Sequence, residues 1–530
     1  MQTLEAVRDG ATSPAWLRTD WREIHAVPVT TGDGLLTDLS RSGEPALSAG
    51  TIEAFAEING GARPADAFTA VGSLCDAAVA TMSSGVWLMR GGASRVRLFV
   101  DRRQLGRIRL TDRIRPGEAR LRTDFLVFAI AHSIHSPFER GATAETIFEG
   151  IECLPPASYS RIDSGGALSP VVLDHATAEF DALGRAATLE AVRAAVDQAI
   201  KDALDAAGDR IPVFEISGGI DSSLVAARAL AYLRSKQDDA QRLAVTIHYP
   251  YHEFRREAEF ASAVSDALEL AVAPVTGENC LPFDGWLSAT KVPCGDEPGL
   301  QQVGRAQHLA TLSAGGAQAR VLFHGFGGDT IFGFGPVQQF LVRKPPARPA
   351  WMSHATWRAF LIEWEKVRAH FPDTPEGHRR QFFSGANIDD CWADMYLAPR
   401  LGSVRAGGFT DPRLLGAVER LWKLGPEDGE GRYKWILRDA FRDSLPAIVR
   451  EREHKIAYDG LYVRGFRRHR DALHSLVGRH SALLDDSGIS ASRVKVAIDR
   501  LALGNLDDDL LLSMLLCCLE WLEATVAVNR

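Results

Sequence analysis

The residues of this chain best placed to do chemistry sit at two glycine corners. In residues 213–227, VFEISGGIDSSLVAA, an apolar run stops at Ser217, Gly218 and Gly219; Asp221 follows, then Ser222 and Ser223, and then a helix-like pattern. A strand that breaks at glycine and turns into a helix leaves backbone N–H groups facing outward, and the helix dipole adds partial positive charge there. Such a corner holds an anion, most often phosphate. Ser217, Ser222 and Ser223 can add hydroxyl donors. An acid beside a phosphate needs a reason, and Mg2+ between Asp221 and the phosphates supplies one. No GKS or GKT stands at the corner, so it is not a Walker loop. Residues 323–335, FHGFGGDTIFGFG, repeat the pattern with Asp329 as the acid. In one parallel sheet both corners would lie at the carboxyl ends of strands, where ligands bind, and the two acids could share one Mg2+. The plainer alternative is a pair of tight turns in which Asp221 merely caps its helix.

The flanking sequence must position these corners. Leu189, Val192, Val196, Ile200 and Leu204 keep the three-to-four spacing of an amphipathic helix. Strand-like IPVFEI (211–216), RLAVTIHY (242–249), AVAPV (271–275) and RVLFHG (320–325) alternate with helical stretches at 221–234, 255–268 and 302–315. That alternation implies a parallel sheet covered on both faces. Residues 1 to about 180 read instead as β-rich, with short runs at 86–90, 95–101, 105–110 and 154–174, and residues 350–530 as mostly helical. The fold class is therefore α/β, with a β-rich domain carrying a few helices over 1–180 and a parallel-sheet domain with a helical extension over 181–530. Between 336 and 400, Trp351, Trp357, Trp364 and Trp392 alternate with Phe360, Phe371, Phe382 and Phe383. Such aromatics fill a helical core or, less commonly, line a peptide groove.

Composition narrows the classes. At 530 residues the chain exceeds one ordinary core, and its net charge of -8 argues against a general nucleic-acid surface. Cysteines at 75, 153, 280, 294, 391, 517 and 518 form no CxxC pair, which fits a reduced, cytoplasmic protein without a zinc knuckle. The first residues lack the basic and apolar regions of a signal peptide. The most apolar stretch, LLLSMLLCCLEWLEATVAV, is interrupted by Glu520 and Glu523 and reads as a buried helix rather than a membrane insertion.

SGGIDSS, GFGGD and KWILRDAFRDSLPAIVRER (434–452), in that order, resemble the synthetase domain of asparagine synthetases and their relatives. These are ATP-pyrophosphatases, which form acyl-adenylates and release pyrophosphate. RVRLFVDRRQLGRIRL (95–110) and TIFEGIECLPPASYSRID (146–163) resemble the family's amidotransferase-type domain, an Ntn-type sandwich. The resemblance implies ATP at the carboxyl edge of the sheet, with the loop from Ser217 through Gly218, Gly219 and Asp221 to Ser222 and Ser223 on the pyrophosphate. It implies Mg2+ bridged by Asp221 and Asp329, and adenosine contacts at Ile216, Ile247, His324 and Gly325, the last two through backbone.

Departures from the family carry the finer expectations. Glutamine-hydrolysing members place a cysteine directly after the initiator methionine; Gln2 and Thr3 stand here, which implies a degenerate amidotransferase domain and an amine supplied by the substrate. Relatives with that loss close rings: β-lactam synthetases within a small molecule, lasso peptide cyclases between a peptide's N-terminal amine and an Asp or Glu side chain. Phe326 stands where β-lactam synthetases carry tyrosine and asparagine synthetases glutamate, and GFGGD looks more like the lasso cyclases. Partners would then be a precursor peptide, a leader-peptide protease and a leader-recognition protein. Lys455 is the implied cation for the adenylate and the tetrahedral intermediate, one position later than in asparagine synthetases, with His454 in the usual slot. His454, Asp389, Asp390 and Asp394 are unranked candidates for the base that deprotonates the amine. Two other readings stay open: a ligase acting on a small molecule or free ammonia, and a non-catalytic scaffold.

Overall fold

The computed structural model describes residues 17–20, 25–31, 34–40, 77–82, 85–90, 98–103, 108–111, 114, 119–135, 144–155, 158–162, 168–172, 178–236, 242–286, 297–314, 320–332, 345–369, 393, 397–409, 411, 413–427, 432–452, 459–507 and 509–528. Among the described residues, ten short strands precede residue 180. They are β1 (Leu17–Asp20), β2 (His25–Thr31), β3 (Gly34–Ser40), β4 (Ala77–Met82), β5 (Gly85–Arg90), β6 (Phe99–Asp101), β7 (Ile108–Thr111), β8 (Ile151–Cys153), β9 (Ser158–Ile162) and β10 (Val171–Val172). One sheet has the order β1-β7-β6-β8 and the other β10-β9-β5-β4-β3-β2, the latter antiparallel throughout. Val86, Leu88 and Ile162 of the larger sheet pack with Val100, Ile108 and Leu110 of the smaller, so two sheets share one apolar layer. This agrees with the β-rich reading of the first half.

The second half is organised by a fully parallel five-stranded sheet. Its strands are β11 (Ile211–Glu215), β12 (Leu243–His248), β13 (Ala271–Thr276), β14 (Arg320–His324) and β15 (Ser403–Gly407), in the order β13-β12-β11-β14-β15. The alternation of side chains explains how both faces are buried. Phe214, Val321 and Phe323 face a core built with α1 (Arg185–Ala207), α2 (Ile220–Ser235) and α3 (Arg413–Leu424), whereas Val213, Val245 and Leu322 face a second cluster with Leu312, Leu397 and Ala398. In α1 the positions Val192, Val196, Ile200 and Leu204 are buried as their spacing requires. The strand order reverses between β11 and β14: β12 and β13 extend to one side, β15 to the other. That switch point leaves a crevice at the strands' carboxyl ends.

Two details differ from the sequence reading. The helix expected over 302–315 is a 3-10 turn, Leu300–Gly304, followed by a shorter helix, Arg305–Ser313. The fifth strand, β15, lies within the stretch read as mostly helical. Its polarity explains why: Arg405 is buried and Val404 is 43 % exposed, the reverse of the usual alternation.

The C-terminal helices form a separate apolar layer. Trp351, Phe360 and Trp364 are buried with Leu511, Leu515 and Leu519 of the final helix, Asp509–Val528, and with Phe128 and Ile130 from the first half. The aromatic run is thus core at these positions; Trp392, Phe371, Phe382 and Phe383 lie outside the described residues. No helix among the described residues is long and apolar enough to cross a membrane. Glu520 explains how a charge sits in the final helix: it accepts two hydrogen bonds of 2.7 Å from buried Arg305. Glu520→Ala should cost about 3–5 kcal/mol, because it strands a buried guanidinium. Arg305→Met/Glu520→Leu should recover most of the loss, as read from the midpoints of denaturant unfolding; equal midpoints for wild type and Glu520→Ala would show that the pair does not support the fold.

Candidate active site

Each glycine corner follows a strand at the switch point. Ser217–Gly219 connect β11 to α2, and Gly325–Gly327 connect β14 to a short helix, Gly328–Phe332. The glycines let the corners touch: a Cβ on Gly325 or Gly328 would sit 2.8 or 2.9 Å from the Asp221 Cβ. The second corner therefore packs directly onto the first turn of α2, which brings Asp221 and Asp329 together as the two motifs suggest.

What lies between the acids is a residue the sequence reading did not single out. Lys434 Nζ contacts Asp221 Oδ2 and stands 2.6 Å from Asp329 Oδ1. The Tyr433 hydroxyl donates to Asp329 Oδ1 as well. The Lys434 side chain is 1 % exposed and that of Asp221 12 %, but that of Asp329 is 47 % exposed and opens the group to solvent. Burial alone would lower the Lys434 pKa; the Asp221 and Asp329 carboxylates more than offset it, and the ammonium is held above its ordinary value. Burial, countered by Lys434 and reinforced by Asp329, pushes the Tyr433 phenol up, so it stays protonated and donates. The backbone at Lys434 is left-handed, φ 55°, directly before the helix Trp435–Ala440. A non-glycine residue there carries strain that surrounding contacts must hold, a recurrent feature of functional sites. The available signal was that the third sequence motif begins at this lysine.

The residues of the first corner divide by their contacts. Ser217 is exposed, and its Oγ lies 3.1 Å from Ser222 Oγ and accepts the Gly219 N–H at 3.3 Å. Ser222 Oγ accepts the Ser217 N–H at 3.2 Å. Ser223 is fully buried and donates to the Gly219 carbonyl at 2.7 Å, bracing the turn. Beside the loop lies a cavity of about 300 Å³ whose wall includes Ile216, Ser217, Ile247, Tyr249, Gln307 and Tyr462. Ile216 and Ile247 thus line one hollow next to the loop. His324 and Gly325 are not in its wall; His324 Nδ1 accepts the Phe326 N–H at 3.2 Å, and Gly325 packs against Asp221. Lys455, His454, Asp389, Asp390 and Asp394 lie outside the described residues.

A Mg2+ ion takes hard oxygen donors, and two carboxylates, one of them half exposed, fit that requirement. The point between them is held by Lys434 Nζ, so a metal held by both acids shares them with an ammonium.

With this geometry in place, comparison with known proteins adds the class. A family model described as asparagine synthase matches residues 191–391, a span that contains β11 to β14, both glycine corners and both acids. The chain therefore carries an asparagine synthase family domain there, and that family's chemistry is ATP-dependent amide formation. No curated protein matches the chain.

Lys434→Met should leave two acids facing each other without their cation. We expect a loss of about 3–5 kcal/mol in stability, partly recovered in Lys434→Met/Asp221→Asn, and no recovery of ATP-dependent activity in either variant. Near-wild-type turnover by a folded Lys434→Met protein would remove this lysine from the site.

Proposed function

We propose that this protein is an ATP-dependent lasso peptide macrocyclase. It adenylates an Asp or Glu side-chain carboxylate of a precursor peptide and joins it to the peptide's N-terminal amine, with loss of pyrophosphate and then AMP. The observation that carries the reading is the convergence of two glycine corners, Asp221, Asp329 and buried Lys434 at the switch point of a parallel sheet. It supports a site built for a polyphosphate and its charge.

In this reading the loop Ser217–Ser223 holds the pyrophosphate end of ATP, and the hollow lined by Ile216 and Ile247 takes the adenosine. Asp221 and Asp329 would hold Mg2+, which when bound would neutralise charge on the departing pyrophosphate. Lys434 places a fixed ammonium beside the same charge, already desolvated and already oriented, so little reorganisation is needed as the α-phosphorus is attacked. Holding the activated carboxyl beside the amine then supplies much of the rate of ring closure. Lys455 stabilises the tetrahedral intermediate, with His454 as the alternative cation.

Two features support a substrate amine rather than ammonia from glutamine, and a peptide rather than a small molecule. The described cysteines, Cys153, Cys280, Cys517 and Cys518, are all buried, and burial pushes the Cys280 thiol up to about 11, the opposite of an activated thiolate. Phe326 places no phenol or carboxylate at the second corner, where the small-molecule relatives carry one. The N-terminal half is then an amidotransferase-like domain without glutaminase activity, and the accessory proteins are a leader-peptide protease and a leader-recognition protein.

The test is pyrophosphate release and product mass with ATP, Mg2+ and either a peptide bearing a free N-terminus and an internal Asp or Glu, or small amino acids and diacids. The peptide should lose one water, with one AMP per ring. Turnover confined to small substrates would replace the macrocyclase with a small-molecule ligase, and absence of ATP-dependent pyrophosphate release with every acid would leave a binding scaffold. With the active substrate, Lys455→Ala should lower amide formation about a hundredfold with little change in ATP affinity. His454→Ala should be mild; the reverse pattern moves the catalytic cation one residue earlier.

A further inference from the structure

Arg452 ends the third motif and reaches back to the phosphate loop. Its Nη1 donates to the Gly218 carbonyl at 2.8 Å, its Nη2 donates to Glu257 Oε1, and its guanidinium lies 4.2 Å from the centre of the Phe260 ring. The Arg452 and Glu257 side chains are 7 % and 13 % exposed. Glu257 and Phe260 belong to the helix Arg255–Ala267 that follows β12. Arg452 is itself fixed, since Arg438 Nη2 donates to its carbonyl at 2.6 Å.

The consequence follows from the planarity of the peptide bond. In a trans peptide the C=O of one residue and the N–H of the next point in opposite directions. Pinning the Gly218 carbonyl inward, toward Arg452, therefore turns the Gly219 N–H outward. In the structure that N–H meets Ser217 Oγ at 3.3 Å, on the exposed side of the loop. The turn is one that glycine adopts readily: Gly218 has φ +73°, and a Cβ there would approach the Phe260 Cβ to 2.7 Å. An anion at this corner uses such outward N–H groups.

We infer that Arg452 is a positioning residue, which sets the orientation of the Gly218–Gly219 peptide and so presents the Gly219 N–H to the pyrophosphate group of the nucleotide. Glu257 holds the guanidinium in plane and offsets its charge, so Arg452 acts through the loop and does not touch the ligand. This inference rests on the nucleotide reading of the site and goes beyond it by dividing the ligand: the part that depends on Arg452 is the pyrophosphate, not the nucleoside.

Calorimetric binding of ATP, inorganic pyrophosphate and adenosine to the full chain separates the parts. Arg452→Ala should weaken ATP and pyrophosphate about tenfold or more, the scale of a charge-assisted hydrogen bond network lost at a loop, and leave adenosine affinity unchanged. Glu257→Gln should weaken the same two ligands less. Arg452→Lys, which keeps one donor but not the planar fork, should fall between wild type and alanine. Unchanged adenosine binding also reports that each variant is folded. If Arg452→Ala does not fold, Arg452→Lys and Glu257→Gln carry the comparison. Parallel weakening of ATP and adenosine, or no weakening of pyrophosphate, overturns the assignment. Failure of the wild-type chain to bind any of the three ligands instead removes the nucleotide reading, and this inference falls with it.

Discussion

A single buried ammonium sets the arrangement around it. Two carboxylates brought together by packed glycine corners repel each other, and the burial of Asp221 strengthens that repulsion. Lys434 resolves it: two negative groups and one positive leave a net single negative charge, with Tyr433 hydrogen-bonded to the more exposed acid. The strained backbone at Lys434 makes sense in this light. A relaxed turn would carry the side chain elsewhere, and the cost of a left-handed residue, of order 1–3 kcal/mol, is small beside two unpaired acids.

The sheet explains why such a cluster assembles from distant segments. Asp221 and Asp329 come from corners after adjacent strands β11 and β14, which pair in register from Ile211 with Arg320 to Phe214 with Phe323. Parallel pairing puts both strand ends at the same edge, and the reversal of strand order opens the space above them. Lys434 arrives from beyond the sheet, on the turn before Trp435–Ala440, whose Trp435, Ile436 and Leu437 are buried against α1 and α2 in the same core. Apolar packing thus delivers the cation, and the acids fix its last few ångströms.

Sequence legibility follows the same division. Strands β11 to β14 were readable because each is a short apolar run flanked by a helical period, and the two corners because glycine beside an acid has few structural uses. β15 was not, since its buried residue is Arg405 and its exposed one Val404. Lys434 was hidden for a related reason: lysine is normally a surface residue, and nothing in local spacing reveals that its partners are acids more than a hundred positions earlier. Arg452 and Glu257 were hidden likewise, because an arginine that binds a loop carbonyl leaves the same local signature as a solvated one. The residues expected to contact adenosine divide for a geometric reason. Ile216, just after β11, and Ile247, within β12, share one hollow, whereas His324 and Gly325 lie on the other side of the reversal, with Gly325 against Asp221.

Arg438 joins the two positively charged devices into one. Its Nε donates to the Tyr433 carbonyl at 2.9 Å and its Nη2 to the Arg452 carbonyl at 2.6 Å. One guanidinium thus fixes the backbone that carries the Tyr433–Lys434 pair and the backbone that carries Arg452. The first pair contacts both acids, and Arg452 holds the Gly218 carbonyl. Neither element could shift relative to the other without breaking one of these hydrogen bonds. Burial lowers the Arg438 pKa, with Arg432 adding to that effect and Asp221 opposing it. In the proposed reading the site meets a polyphosphate with fixed dipoles, and donors ordered before the ligand arrives spare the binding energy that ordering them afterwards would consume. In that reading, the network from Arg438 through Tyr433, Lys434 and the acids, and through Arg452 to Gly218, orders them in advance.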